Sequence, residues 1–312
     1  MELSHLIPVH AFRSGFTACP SLVLPKIQQV TLKDSELGVH RVTPRTNHTI
    51  VPAPPTEDSD SEWPTPSVAW EAFYPKGSIN PSAPIPGGFG FYVSGPTDFA
   101  SKLQSGATHV ILSYRMTLQD GWEWVKGGKL PGIFGGEGDS SYACTGGRQQ
   151  ERSKCFNVRP MWRSNGLGEL YTYIPMTPTN RERLLAVPPS SKENGDYGFS
   201  VGRNAFNFDM AVGKWVSLAF RVKLNSIGSE DGAIFSYTSS YSVSSEFYLG
   251  ELELWVDGKS VISVTGLTLR DSESSRIKGA HFQTFFGGHQ DDWASPKDQR
   301  AWFADLSGVV IE

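Results

Sequence analysis

Apolar side chains recur at every second position in several stretches of this chain. Between Lys214 and Leu224, Val216, Leu218, Phe220, Val222 and Leu224 are interleaved with Ser217, Arg221 and Lys223. A period of two puts alternate residues on opposite faces of a strand, so the apolar set is expected inward and the polar set outward. Leu252, Leu254 and Val256 alternate in the same way with Glu251, Glu253 and Trp255. Asp257-Gly258 follows, the residue pair that a two-residue hairpin turn favours. His109–Met116 is β-branched and aromatic, and His281–Phe286 and Ala301–Ile311 supply closing strands. No amphipathic helix of three turns stands out, and no internal repeat. Short strands punctuated by turn residues predict an all-β sandwich or jelly roll.

Composition sharpens this picture. The chain has 312 residues, with 32 Gly and 21 Pro beside 9 Trp, 10 Tyr and 18 Phe. Aromatic side chains pack well on pleated surfaces, and Gly and Pro punctuate them. The length suits one large all-β domain. Residues 1–67 read differently: Val51–Ser67 is rich in Pro, Ser and acid, a composition that buries too little surface to fold alone. This segment is expected to be a poorly structured leader, linker or strap, with the domain occupying 68–312. No apolar run is long enough to span a membrane.

The net charge of −4 argues against a nucleic-acid partner, but the distribution is uneven. From Lys126 to Arg163 there are seven basic residues against three acidic ones, a local excess suited to a polyanion. Three cysteines are present; Cys144 and Cys155 lie eleven apart, a spacing that would staple one loop if oxidised and is equally open to two free thiols. Asn47-His48-Thr49 is a glycosylation sequon, meaningful only in a secreted chain. The N-terminus lacks a charged start followed by a clean apolar stretch, so it does not read as a signal peptide.

The chemistry concentrates between Trp122 and Pro175. WEWVKGGKLPGIFGG places Lys126 and Lys129 around paired glycines, which permit close approach of backbone or ligand. In CFNVRPMWRSNGLGELYTYIP, Asn157, Arg159, Met161 and Arg163 share one strand face and Phe156, Val158 and Trp162 the other. After a turn at Ser164–Glu169, Tyr171 and Tyr173 share a face opposite Leu170, Thr172 and Ile174. If these strands pair with an even register sum, Asn157, Arg159, Tyr171 and Tyr173 project together; a slip of one residue separates them.

KGGKLPG, the cysteine pair, the R-x-M-W-R strand and GELYTYIP together resemble polysaccharide lyase family 14, fungal type, whose members include alginate and glucuronan lyases. YGFSVGRNAFNF, GELELWVDGKSVI and TFFGGHQDDWASPKDQRAWFADL agree, so the resemblance covers roughly residues 70 to 312. It implies a concanavalin-like jelly-roll β-sandwich with one catalytic domain, an extracellular setting, a Cys144–Cys155 disulfide and no cofactor or metal. The substrate implied is an anionic, uronate-containing polysaccharide, glucuronan in preference to alginate, cut by β-elimination to leave 4,5-unsaturated uronyl ends. The functional lysine of the family falls on Lys129, its Y-x-Y element on Tyr171 and Tyr173, and its S-x-R element on Asn157-Val158-Arg159, with Asn replacing Ser.

On those positions, Arg159 can grip the substrate carboxylate and the Asn157 amide can donate to it. Either Lys129 or a phenolate takes the proton, with a tyrosine returning one to the leaving oxygen. Lys126, Arg148, Arg163, Arg203 and His289 are further candidates for lining sugar subsites. Asp291 and Asp292 lack the oxygen ligand series of a hard-cation site. The chain is expected to act as a monomer, with no nucleic-acid or membrane partner. Two other functions suit the same fold: a lectin-like module binding an anionic polysaccharide, for which Asn157 speaks, and a glycoside hydrolase using Glu251 and Glu253.

Overall fold

The computed structural model describes residues 4–55, 63–227 and 249–312. Among these residues, two nine-stranded sheets pack face to face. In chain order the strands are β1 (Ser14–Thr17), β2 (Ile27–Gln29), β3 (Val39–His40), β4 (Ile50–Pro52), β5 (Val68–Tyr74), β6 (Phe89–Val93) and β7 (His109–Leu118). There follow β8 (Gly127–Lys129), β9 (Gly132–Glu137), β10 (Cys155–Arg163), β11 (Leu167–Tyr173), β12 (Lys192–Glu193) and β13 (Phe199–Asn207). The last are β14 (Val216–Lys223), β15 (Gly250–Val256), β16 (Lys259–Leu267), β17 (Ser275–Phe286) and β18 (Gln299–Val310). The first sheet runs β16-β15-β14-β7-β18-β1-β2, with β5 also on β18 and β4 on β5. The second runs β12-β13-β11-β10-β8-β17-β6-β3, with β9 joining β10 and β17. It is the sandwich that alternation predicts.

The alternation has a direct structural reading. Val216, Leu218, Phe220, Val222 and Leu224 enter the inter-sheet core with Leu252, Leu254 and Val256. Trp70, Phe89, Phe91, Tyr114, Phe282 and Phe303 fill its centre, their rings mostly edge to face. Asp257 and Gly258 connect β15 to β16 with φ of 46° and 71°, the two positive values that a type I′ turn requires.

The stretch before residue 68 departs from the expected loose leader. β1 and β2 extend the first sheet, β4 pairs with β5, and β3 pairs with β6 of the second sheet. Leu6, Ile7, Cys19 and Leu22 form a second apolar cluster with Ile111, Ala219, Trp255 and Val309, on the outer face of the first sheet. Ser217, expected outward, is therefore buried, and its hydroxyl bonds Asp257 and the His5 carbonyl. The Pro- and Ser-rich composition hid this because a segment too polar to fold alone still lays short strands on existing edges. Residues 56–62 of the Val51–Ser67 stretch lie outside the described residues.

Candidate active site

Strand β10 organises the outer face of the second sheet. Its register with β11 pairs Asn157 with Tyr173 and Arg159 with Tyr171, an even sum that puts all four side chains on one face. Phe156, Val158 and Trp162 point the other way into the core. On the opposite edge β10 meets β8, where Met161 pairs with Lys129, and β9, where Asn157 pairs with Phe134. Pro160 cannot donate to a ladder. It sits across from the gap between β8 and β9, where its carbonyl accepts from Leu130 N–H.

Lys129 reaches its neighbours because β8 lies hard against the core. A Cβ on Gly128 would stand 1.9 Å from Cζ2 of Trp162, so only glycine lets the strand come this close. Lys129 Nζ then donates to Tyr173 Oη at 2.7 Å and stands 5.0 Å from the centre of the Tyr171 ring. Tyr171 Oη donates to the Tyr197 carbonyl at 3.0 Å. The loop between β9 and β10, closed by the Cys144–Cys155 disulfide, packs on this cluster with Met161. From that loop the Gly146 N–H faces the Tyr173 oxygen and favours its ionised form, against the larger opposing effect of burial.

Burial sets the protonation states. Desolvation, reinforced by the Arg159 and Arg163 guanidinium groups, pushes the Lys129 ammonium well below the usual lysine range. Desolvation raises both phenols above the ordinary tyrosine value. Arg159 is lowered to about 10 by burial and remains charged at neutral pH. Its Nε donates to the Leu130 carbonyl at 3.0 Å, and its two terminal nitrogens to the Gln283 side chain and carbonyl. Two of the five guanidinium N–H groups have no partner among the described residues. No carboxylate pairs with Lys129 or Arg159 among the described residues, whereas buried cations normally find one. The nearby acid, Glu169, is fully buried and already held by Arg163 at 2.5 Å and Arg203 at 3.1 Å.

A family model described as Polysaccharide lyase 14 matches residues 64–249 and 244–306. This chain belongs to that family. The protein is therefore a polysaccharide lyase. It is similar to the marine PL-14 alginate lyase from Aplysia kurodai, 28% identical with a TM-score of 0.61 over 89% of this chain and 94% of that one. The alginate lyase vAL-1 from Chlorella virus follows at 21% and 0.58, covering 88% and 93% of the two chains. The alginate lyase Aly36B gives 18% and 0.54, covering 80% and 83%. At such identities the last two show a shared fold. No curated protein matches the chain.

The lyase brings Lys129, Asn157, Arg159, Tyr171 and Tyr173 into one cluster but disperses the other basic residues named from sequence. Lys126 is exposed and forms an ion pair with Asp292. Arg148 is spent inside the disulfide loop, bonding the Ser140 and Tyr142 carbonyls at 2.7 and 2.9 Å and the Cys155 sulfur. Arg163 and Arg203 border the cluster, bound to Glu169, and His289 is exposed in the loop after β17. Asn157 departs from its expected part as donor to a carboxylate. Its amide nitrogen faces the Cys144 carbonyl at 3.3 Å and His281 Nδ1 at 2.8 Å, which engages both N–H groups and leaves a buried, unpartnered Oδ1.

His281 and Gln283, on the same face of β17, were not singled out from sequence. His281 stacks on Tyr92 with ring centres 4.4 Å apart. The available signal was alternation: His281 and Gln283 interleave with Phe282 and Thr284, a polar outer row on a strand whose inner row is core.

Proposed function

We propose that this lyase cleaves a uronate-containing polysaccharide by β-elimination, with Lys129 as base and Tyr173 as acid. The observation that carries the reading is the basic pair, Lys129 and Arg159, on one face of the sheet, with no carboxylate pairing with either among the described residues. A uronate supplies the missing anion. The two remaining N–H groups of Arg159 are donors to that carboxylate, withdrawing charge and acidifying the C5 proton.

Burial favours one assignment of the roles that the residue types alone left open. A lysine whose pKa burial pushes down gives up its proton more readily than an ordinary amine, while phenols pushed up hold theirs. Lys129 thus takes the C5 proton, and Tyr173 gives its own to O4 as the C4–O4 bond breaks. The phenolate left behind accepts from Lys129 Nζ–H and Gly146 N–H. The same 2.7 Å bond carries the proton from the ammonium back to the phenolate, resetting both groups without bulk water. Tyr171, tied to the Tyr197 carbonyl, packs beside Tyr173 with ring centres 5.1 Å apart and orients it. General acid and base steps of this kind supply roughly 10² to 10⁴ each in rate.

The Cys144–Cys155 disulfide suits an oxidising, extracellular setting for such an enzyme. Glucuronan, polymannuronate and polyguluronate should be offered in parallel while ultraviolet absorbance of 4,5-unsaturated ends is followed. New absorbance on at least one polymer, lost in Lys129→Ala, is the expected result. Reducing ends without absorbance would mean hydrolysis, and polymer retention with neither signal would mean a binding module. Each of those two outcomes removes the proposal.

A further inference from the structure

We propose that His281 contacts the substrate as a neutral hydrogen-bond donor, its Nε2–H directed at the uronate carboxylate and its tautomer fixed by Asn157. The starting point is the orientation of one amide. The Cys144 carbonyl, 3.3 Å from Asn157 Nδ2, can only accept, so the amide presents its NH2 group there and not its oxygen. That same nitrogen stands 2.8 Å from His281 Nδ1. An amide nitrogen only donates, so Nδ1 must offer its lone pair and the ring proton must lie on Nε2. Protonating Nδ1 would set two N–H groups head to head.

The surroundings keep the ring in this state. Burial first opposes an imidazolium, and then Arg159 on β10 and Lys129 on β8, the basic groups that face the ring. Tyr92 on β6 stacks on the ring at an interplanar angle of 10°, and Phe134 on β9 meets its edge. No acidic side chain pairs with it among the described residues. Nε2 has no hydrogen-bond partner among the described residues and is not fully sealed from solvent. It is therefore a donor left over once the protein's own bonds are made.

Two consequences follow for the reaction. His281 does not act as the base, because Nδ1 is occupied and Nε2 already carries its proton. The amide of Asn157 cannot grip the carboxylate, since its N–H groups are engaged; the donor beside Arg159 is then His281, two residues along β17 from the Gln283 that buttresses Arg159. Asn157 is a positioning residue acting through the histidine.

This inference rests on the lyase reading above, so two kinds of measurement are needed. Nitrogen-15 spectra of histidine-labelled protein, assigned with His281→Phe, should show Nε2 protonated and Nδ1 bare, unchanged from about pH 5 to 9. In turnover, His281→Gln keeps a donor near the Nε2 position and should hold kcat/KM within about tenfold, whereas His281→Phe should lose about 10- to 100-fold, the range for a hydrogen bond to a charged group. Thermal unfolding of both variants checks that the fold survives. A proton on Nδ1, a titration of His281 that tracks the pH–rate profile, or equal activity in the two variants would overturn the proposal. Wild-type protein that makes no unsaturated ends would sink the lyase reading, and with it the substrate contact, while the tautomer measured by resonance would still stand on its own.

Discussion

Adding one methyl group at Gly128 tests how the core positions the lysine. The ideal Cβ would lie 1.9, 2.3 and 2.5 Å from three ring atoms of Trp162, where carbon–carbon contact needs about 3.5 Å. Something must therefore move by about 1.5 Å. The indole cannot: it is 1% exposed and boxed by Phe286, Trp122 and Trp124 at ring-centre distances of 5.1, 6.0 and 6.2 Å. Strand β8 must give, and Lys129 is its next residue. Overpacking of this kind costs about 1 to 3 kcal/mol, and a reacting group displaced by about 1 Å loses about 10² in rate. For a chain this size each kcal/mol lowers Tm by about 2 to 4 °C. Gly128→Ala should therefore melt a few degrees early yet remain folded at room temperature, with initial rates of unsaturated-end formation down about a hundredfold. Gly147→Ala is the control, since its Cβ would meet only the Thr145 hydroxyl at 3.9 Å. Wild-type rate and Tm in Gly128→Ala would show that the close approach of β8 does not position the lysine.

Lys129→Met should abolish turnover and raise stability. A lysine whose folded pKa is depressed penalises the fold fully below that pKa, and the penalty fades as pH climbs toward the unfolded value near about 10.4, so the stabilisation should be largest on the acid side of the folded pKa, shrink as pH rises and vanish above about pH 10 in denaturant titrations. Tyr173→Phe should lose roughly 10² to 10⁴ in kcat, since it removes the proposed acid, while a retained near-ultraviolet circular dichroism spectrum shows the fold intact. Replacing both Cys144 and Cys155 with serine should cost about 3 kcal/mol of stability, measured by urea unfolding, and lower activity through the loop that supplies Gly146 N–H; full activity would show that the loop is not part of the site.

Period-two alternation determined much of this protein in advance. The inward rows of β14 and β15, the Asp257-Gly258 turn, the shared face of Asn157 and Arg159 and that of Tyr171 and Tyr173 are local consequences of the strand, where successive side chains must point to opposite faces, while the register of β10 with β11 decides that the two pairs face the same way. The motifs around Lys129 likewise identified the family. What the sequence could not decide is who is bonded to whom across strands. Asn157 and His281 are 124 residues apart, and only the pairing of β9 with both β10 and β17 brings them to 2.8 Å. That one contact turned an expected carboxylate donor into the support of a histidine. That no carboxylate pairs with Lys129 or Arg159 among the described residues is also tertiary, because Arg163 and Arg203 capture Glu169. The leader shows the same limit from the other side: its composition describes a segment that cannot fold alone, whereas the free edges and outer face of an existing sheet gave its short strands and few apolar side chains somewhere to bind. Alternation is written residue by residue, but hydrogen-bond partners and screening depend on distances that exist only after the sheets have closed.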